Sequence, residues 1–557
     1  MRANQSVPDP TPGWPTPGWP KPGSSGPLLR ARICFDALRL APRTVLLAGW
    51  WRLLGKRMRA RSMIAPLLGQ SPRAYRFWLA RDGGRPRVRA TPAGRAVTIV
   101  ALVATGDGQE RTLESLAAEG IEWRPVPPGE MPGLHAIGRM NDGGGWFLPL
   151  AAGDVLASGA GSAYREAAAH AGAGARVVYS DDDLIDPRGR RADPHFKPDW
   201  NSELYRYFDY LSGAAILRPD QRDMDRLPAE NWPAALNNRV VERLLDEGGA
   251  PIHLRHVLHH RRTRPAPRSA SRAETSAALP TVTIIVPTRN RHDLLGACLE
   301  GVARTRYPGH METIVIDNGS DDPATLDYLA GLDPAFARVL RHPGPFNFAA
   351  MNNRAVGEAS GQLLCFLNND IEIVDPDWLA TMATQAVRDD VGAVGACLLY
   401  PDGRLQHAGV VVGIGGGAAH AHRLLRPEED GYFRRHALPQ FVSAVTAACL
   451  VVQRERFLAV GGFDAEKFAV AFNDVDLCLK LNARGWQSLY EPRAVLVHHE
   501  SVSRGLDRDP AGAARLAGEL AALKARWGTG GGDRGEAVDP FHHPSLSPFS
   551  ERFVVRI

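Results

Sequence analysis

The sequence predicts an α/β chain made of two tandem copies of one sheet-and-helix unit, the first copy shorter and chemically eroded. Three observations predict it. After residue 280, short apolar runs that close on polar residues alternate with helix-patterned stretches, as in "TVTIIVPTRN", "RHDLLGACLEGVART" and "METIVIDNGS". Strands alternating with helices imply a parallel sheet with crossovers. The chain also resembles itself. Residues 469–501 can be laid on 233–262, "VTIIVPTRN" on "VTIVALVAT", and "CLLYPDGRLQHAG" on "DLIDPRGRRADPH". Finally, 557 residues exceed what one core organises.

Taken in order, residues 1–27 include the low-complexity run "PDPTPGWPTPGWPKPGSSGP", which predicts a disordered lead-in. Residues 28–90 are expected to be a basic amphipathic helical segment. Between Leu28 and Ser62 stand nine Arg or Lys residues and one acid, Asp36, around "TVLLAGWWRLL". Such a stretch can lie on an anionic membrane surface, and a helical pair packed on the next domain is the equal alternative. No apolar run reaches the roughly eighteen residues of a membrane span, and the polar start shows no secretory signal. The first copy is placed at 91–262, a basic linker at 263–279, the second copy at 280–507, and a helix with a tail at 508–557. With a net charge of only +5, no nucleic-acid partner is expected. The six cysteines are far apart and mostly within apolar runs, which suits a reducing compartment, the cytoplasm.

The copies differ where chemistry could sit. In the second, Pro287, Thr288, Arg289 and Asn290 close one strand, Asp317 and Asn318 the next, and Asn368, Asn369 and Asp370 a third. Strand ends of a parallel sheet lie along one edge, so these groups should converge on one crevice. The bland alternative for "LCFLNNDIEI" is a turn, which Asn and Asp favour by bonding their own backbone. In the first copy Ala151, Ala152 and Gly153 stand opposite that triplet, with Asp154 one place off register, and Asn238 stands opposite Asp474. Joint loss of these groups from one copy favours function in the other. One carboxylate with neutral amides suits Mg²⁺ or Mn²⁺, which takes further ligands from water and a diphosphate.

Asp474 opens a helix and shares a face with Leu477, Cys478 and Leu481, so it heads the inward stripe. Asp476, in line with Lys480 and Arg484, is expected to be a solvated ion-pair partner. Asp474 reads as a general base at a crevice mouth, or as a first-turn acid favoured by the helix dipole with Asn473 as cap. His498 and His499 end a late strand, as a metal ligand and its neighbour or as surface residues. The other histidine clusters lack cysteines at zinc spacing, which argues against zinc. "GIGGGA" (413–418) imitates a dinucleotide fingerprint but sits too late in the chain, and is read as a flexible loop.

The strings "TVTIIVPTRNR", "IVIDNGSDD", "FNFAAMNNRAVGEASGQLLCFLNNDIEI", "QHAGVVVG", "TAACLVVQRERFLAVGGFD" and "FNDVDLCLKLNARGWQSLYEPRAVLVHHESVSRG" resemble successive motifs of bacterial family 2 glycosyltransferases. The likeness spans about residues 280–507 and is to members that build O-antigen and rhamnan-type surface polysaccharides. "YSDDDLIDPRGRR" with "PHFKPDW" is similar to the first domain of two-domain members. This resemblance implies the GT-A fold, in two copies with the first degenerate. It implies Asp370 as the metal holder on the donor diphosphate, where the family carries Asp-x-Asp, with Asn368 in place of the first acid. Asp317 would bond the nucleotide base, with Pro287 to Asn290, Asn318, Asn368 and Asn369 lining the donor site. Asp474 matches the base of a Glu-Asp pair whose Glu is Asn473 here, and His498 matches an occasional metal ligand.

The implied reaction is inverting transfer from a nucleotide-sugar donor to a glycan or lipid-linked glycan at the cytoplasmic face of the inner membrane. A catalytically inactive scaffold and a nucleotidyltransferase are the alternatives. The latter usually has a basic glycine-rich first turn, which "VPTRNR" is not.

Overall fold

The computed structural model describes residues 27–81, 97–127, 145–186, 188–225, 227–228, 231–271, 278–499, 510–529 and 539–557. The proline-rich run and part of the linker lie outside the described residues.

Two large sheets and one two-stranded hairpin carry the described residues. The first is built from Ile99–Ala104 (β1), Glu122–Val126 (β2), Trp146–Leu150 (β3), Val155–Leu156 (β4), Val177–Ile185 (β5), Arg191–His195 (β6), Ala215–Leu217 (β7) and Ile252–Arg261 (β8). Its strand order is β2-β1-β3-β7-β5-β8-β4, with β6 on β5. The second copy supplies Val282–Thr288 (β9), Met311–Asp317 (β10), Arg338–Arg341 (β11), Leu363–Leu367 (β12), Ile371–Ile373 (β13), Val391–Leu399 (β14) and Leu405–His407 (β15). Then follow Val410–Val412 (β16), Ala418–His420 (β17), Gln440–Val442 (β18), Cys449–Gln453 (β19) and Gln487–His498 (β20). The second sheet runs β11-β10-β9-β12-β19-β14-β20-β13, with β15 on β14 and β18 on β20. Without the edge strand β11, the two orders match place for place. The tandem repeat read from the sequence is therefore a repeat of topology.

The sheets are mixed rather than wholly parallel. β9 pairs parallel with β10 and β12, but β19 lies antiparallel between β12 and β14. β12 is buried at every position, as a central strand covered on both faces must be. One face is covered by helices His292–Ala303 and Trp378–Ala386 through Leu295, Cys298, Leu299, Trp378 and Met382. The other is covered by Phe348–Glu358 and Asn473–Asn482 through Met351, Ala355, Leu477 and Leu481. Asn347 caps the first of these by accepting the Ala350 N–H at 2.9 Å.

At the N-terminal side, Pro27–Leu40 (α1), Pro42–Leu53 (α2), Arg57–Gly69 (α3) and Ala74–Arg81 (α4) form a helical segment. α4 anchors it, packing Tyr75 edge-on and Trp78 tilted against Phe196 beside β6. The tail 539–557 is seated against both copies. Pro540 C=O accepts the Asp199 N–H (2.8 Å), Asp539 accepts the Val412 N–H (2.8 Å), and Phe541 C=O accepts from Arg435 (3.0 Å). "GIGGGA" forms the β16–β17 hairpin turn, with Gly415 N–H donating to Pro548 C=O at 2.9 Å. A direct bond pair, Asn201 side chain to Phe441 backbone at 2.8 and 3.1 Å, also joins the copies.

Candidate active site

The ends of β9, β10 and β12 are neighbours, so the three polar strand ends converge as their sequence positions require. Thr288 and Asn369 meet directly, Asn369 Nδ2 donating to Thr288 Oγ1 at 3.0 Å. Asn290 is spent on shaping the crevice: its side chain donates to Asp321 (2.7 Å) and accepts the Asp321 and Asp322 N–H groups (3.0 and 3.1 Å). Asp317 is fully buried, accepts the Ser320 N–H at 2.9 Å and pairs with Arg341. Asn318 Nδ2 donates to His342 C=O at 2.9 Å, while its buried Oδ1 has no hydrogen-bond partner among the described residues. Among the described residues no side-chain bond involves Pro287 or Arg289.

Asp370 follows β12 and immediately precedes β13, whose pairing with β20 sets Ile371 opposite His498. That register brings His498 Nε2 to 3.1 Å from Asp370 Oδ1. On its other side His498 Nδ1–H donates to Gln406 Oε1 at 2.6 Å, and Asn368 Nδ2 approaches Nε2 at 3.4 Å. Both contacts select the same tautomer. In the neutral ring Nε2 then keeps its lone pair, so two acceptors face each other across 3.1 Å with no hydrogen between them. An octahedral Mg²⁺ or Mn²⁺ at about 2.1 Å from each ligand places adjacent ligands about 3.0 Å apart. Asp370 and His498 fit such an ion. His499 turns away and meets Glu372 at 3.0 Å, outside the cluster.

Asp474 lies at the first turn of Asn473–Asn482, half-buried, where Oδ2 accepts the Ala447 N–H at 3.1 Å. Burial raises its pKa, opposed by the Ala447 and Val475 N–H groups and by Thr446. The residue before the helix, Phe472, holds φ 60°, a strained value for a bulky side chain. Asn290 and Arg291, after β9, also have positive φ, 47° and 79°. The neighbouring expectations need correction. The cap is Phe472 rather than Asn473, whose Nδ2 bonds Val470 C=O (2.8 Å). Asp476 is an ion-pair partner but not a solvated one: it is fully buried and bonded by Arg526 (2.8 Å), Trp527 (2.9 Å) and Lys480 (3.2 Å). Helix Pro510–Trp527 covers it, and nothing in residues 473–482 announces that cover.

Gln406 and His407, from "QHAG", had no assigned role. Besides Gln406 on His498, His407 Nε2 receives the Thr446 N–H at 3.5 Å and Nδ1 faces His420 at 2.8 Å. Burial pushes His407 well below the usual histidine range. Their signal was a polar pair inside an otherwise apolar strand exit.

The same positions in the first copy are filled differently. β4 pairs with β8 so that Val155 faces His260. Asp154 therefore precedes its strand just as Asp370 does, and the link from β3 is one residue longer than that from β12. Asp154 is thus the structural counterpart of Asp370, not one place off register. Arg261 sits 3.7 Å from Asp154, and the Arg262 N–H donates to it at 2.9 Å. His260 turns instead to Asp183 (2.7 Å). Asp182 is neutralised by Lys197 and Arg264, each at 2.9 Å. Asn238 accepts from Tyr205 OH at 2.5 Å. Histidines that looked separate, His253 and His543, meet on Asp181 at 3.1 and 3.0 Å. The spacing would admit a metal. However, Ser545 N–H donates to His543 Nδ1 at 3.0 Å, which leaves the ring proton on Nε2, facing the carboxylate. We read this cluster as a polar lock between tail and first copy, the neutral His543 ring presenting its Nε2–H to the Asp181 carboxylate.

The site thus combines a crevice at adjoining strand ends, a carboxylate–histidine pair whose spacing fits a divalent ion and a nearby half-buried carboxylate. Residues 283–441 match the family model "Glycosyl transferase family 2", so the second copy carries a glycosyltransferase family 2 domain. It is 38% identical over 429 residues to the uncharacterized protein y4gI of Sinorhizobium fredii, covering 68% of this chain and 46% of that one. It is 35% identical over 411 residues to the O-antigen biosynthesis protein RfbC of Myxococcus xanthus, covering 67% and 31%. The chain thus spans less than half the length of these relatives. Among solved structures, the mannosyltransferase PcManGT of Pyrobaculum calidifontis, in complex with GDP-Man and Mn²⁺, aligns with 45% of this chain and 66% of its own at 21% identity and a TM-score of 0.34.

Proposed function

We propose that the second copy is an inverting glycosyltransferase that moves a sugar from a nucleotide-diphosphate donor to a growing cell-surface polysaccharide or lipid-linked glycan. The observation that carries this reading is the segment Thr446–Ala448. Its Ala447 N–H holds Asp474 (3.1 Å), and Ala448 C=O accepts the Asn368 N–H (3.0 Å). The proposed proton acceptor and metal motif are therefore bonded to adjacent residues of one turn, which suits transfer between two bound substrates. The likeness to RfbC supports surface polysaccharide as the destination.

Asp474 takes the proton from the acceptor hydroxyl as it attacks the anomeric carbon from the face opposite the leaving group. Its burial makes it a stronger base than a solvated aspartate. Asp370 and His498 would hold the cation, Mg²⁺ or Mn²⁺. When bound, that ion supplies charge to the departing nucleoside diphosphate, so no general acid is needed. Asp317, Asn318 and Pro287 to Asn290 line the donor side, with Asn369 bracing Thr288. In the first copy Arg261 stands beside the Asp370 counterpart, so that copy braces the second or holds acceptor rather than transferring sugar.

Purified protein should release a nucleoside diphosphate from a sugar nucleotide when a glycan acceptor is present, and EDTA should stop it. Pyrophosphate as product would mean nucleotidyl transfer. No turnover across a donor panel would leave an inactive scaffold.

A further inference from the structure

Ten of the eighteen large apolar side chains exposed among the described residues lie between Leu28 and Met58. On α2 they make one face. Leu46, Trp50 and Leu53 recur at helical spacing with Leu47 and Leu54 beside them, and 57% of Trp50 and 83% of Leu53 are open. Ala48 is the only buried residue of that helix. α1 adds Leu28, Phe35 and Leu38. Concentration of exposed apolar surface on this scale marks an interaction site.

The charge around it has one sign. Nine Arg or Lys residues lie between Leu28 and Ser62, and the single acid, Asp36, is spent on Arg73 (2.7 Å) and Ser71 (2.6 Å). Cationic heads sit on aromatic rings: Arg59 at 4.3 Å and Lys56 at 4.8 Å from Trp51, and Arg39 at 5.9 Å from Phe35. Apolar side chains interleaved with cations fit a surface that is greasy beneath and anionic on top. A second copy does not fit, because a two-fold contact would set the same nine cations against each other.

We propose that α1–α3 form a docking surface for an anionic phospholipid bilayer. The apolar side chains of α2 enter the headgroup boundary and the surrounding Arg and Lys residues contact lipid phosphates. The surface does not depend on the transfer reading, although it would place such an enzyme beside a lipid-linked acceptor. Each cation near an anionic surface strengthens partitioning by about fivefold. The attraction is screened within roughly 8 Å at physiological salt, so high salt should reverse it.

The test is flotation of the full chain with phosphatidylcholine vesicles, with and without phosphatidylglycerol, at low and high salt. Binding should need phosphatidylglycerol and disappear at high salt. Arg52→Glu with Arg57→Glu should weaken it at least about twentyfold, and Trp50→Ser with Leu53→Ser at least about tenfold. Turnover with a water-soluble acceptor should stay within about twofold in both pairs, since neither touches the crevice. Absence of binding to phosphatidylglycerol vesicles at low salt overturns the proposal, as does binding indifferent to both pairs. Dimerisation that the Trp50/Leu53 pair abolishes, without vesicle binding, would assign the face to a second copy. Loss of turnover in every form, with flotation intact, would strike the transfer reading and leave this one standing.

Discussion

Gln406 Oε1 lies 2.6 Å from His498 Nδ1 and so sets which nitrogen of that ring faces Asp370. Outer partners of this kind orient a ligating histidine, and their loss typically costs 10- to 100-fold in metal affinity, on the order expected here. Gln406→Leu should therefore weaken Mn²⁺ binding by at least about tenfold in a titration followed by electron paramagnetic resonance. Gln406→Glu, which keeps the acceptor oxygen, should restore most of it. Equal Mn²⁺ affinity in the Leu variant and the parent would deny Gln406 this role.

Removing the proton acceptor should separate binding from chemistry. Asp474→Asn is expected to lower turnover about a hundredfold or more while donor affinity stays near the parent value, because Asp474 acts on the acceptor. Residual turnover above a tenth of the parent's would move the base elsewhere.

Asp370→Ala should abolish metal-dependent donor binding and turnover together. His498→Ala should show a milder form of the same defect, and His499→Ala, facing Glu372, almost none. Calorimetry of donor binding with Mn²⁺ and with EDTA reads all three. Parent protein that binds donor equally well in EDTA would remove the metal from Asp370.

The first copy makes a prediction about pH. Burial raises Asp154 to about 6, against the pull of Arg261 and the Arg262 N–H. Between pH 4 and 6 the folded carboxyl holds a proton that the unfolded one has released, so stability conferred by the neutral form is lost as pH rises through that window. Asp154→Asn should remove that loss, gaining up to about 3 kcal/mol over the parent by pH 7 and almost nothing at pH 4. Denaturant midpoints at the two pH values measure the difference. Turnover should stay within about twofold if the first copy only braces the second or holds acceptor, as proposed.

Much of this site could be read from the chain because it lies at strand ends. Thr288, Asp317 and Asn368 to Asp370 each close a β-rich run, and adjoining parallel strands bring such ends together. What escaped the sequence came from distant segments. Arg341 on Asp317, Gln406 on His498 and Arg526 on Asp476 are pairings that no local periodicity encodes. Asp154 was misplaced because laying one string on another penalises an extra residue, whereas β4–β8 pairing absorbs it in the turn. The antiparallel β19 was unforeseen for a related reason: apolar runs in parallel and antiparallel central strands look alike.

The tail that bonds Asp181, Asp199, Val412 and Arg435 bears on how the protein is made. Two units of one topology in a single chain can exchange equivalent strands while both are incomplete, a characteristic failure of tandem repeats. Residues 539–557 leave the ribosome after every strand of both sheets, so the wedge that fastens the units forms only once each has had time to close on itself. Premature termination before Asp539 would then yield two formed halves that keep the Asn201–Phe441 bonds but lack the tail's, with the sides of Phe196 and Asp181 that His543 covers laid open to chaperones and proteases.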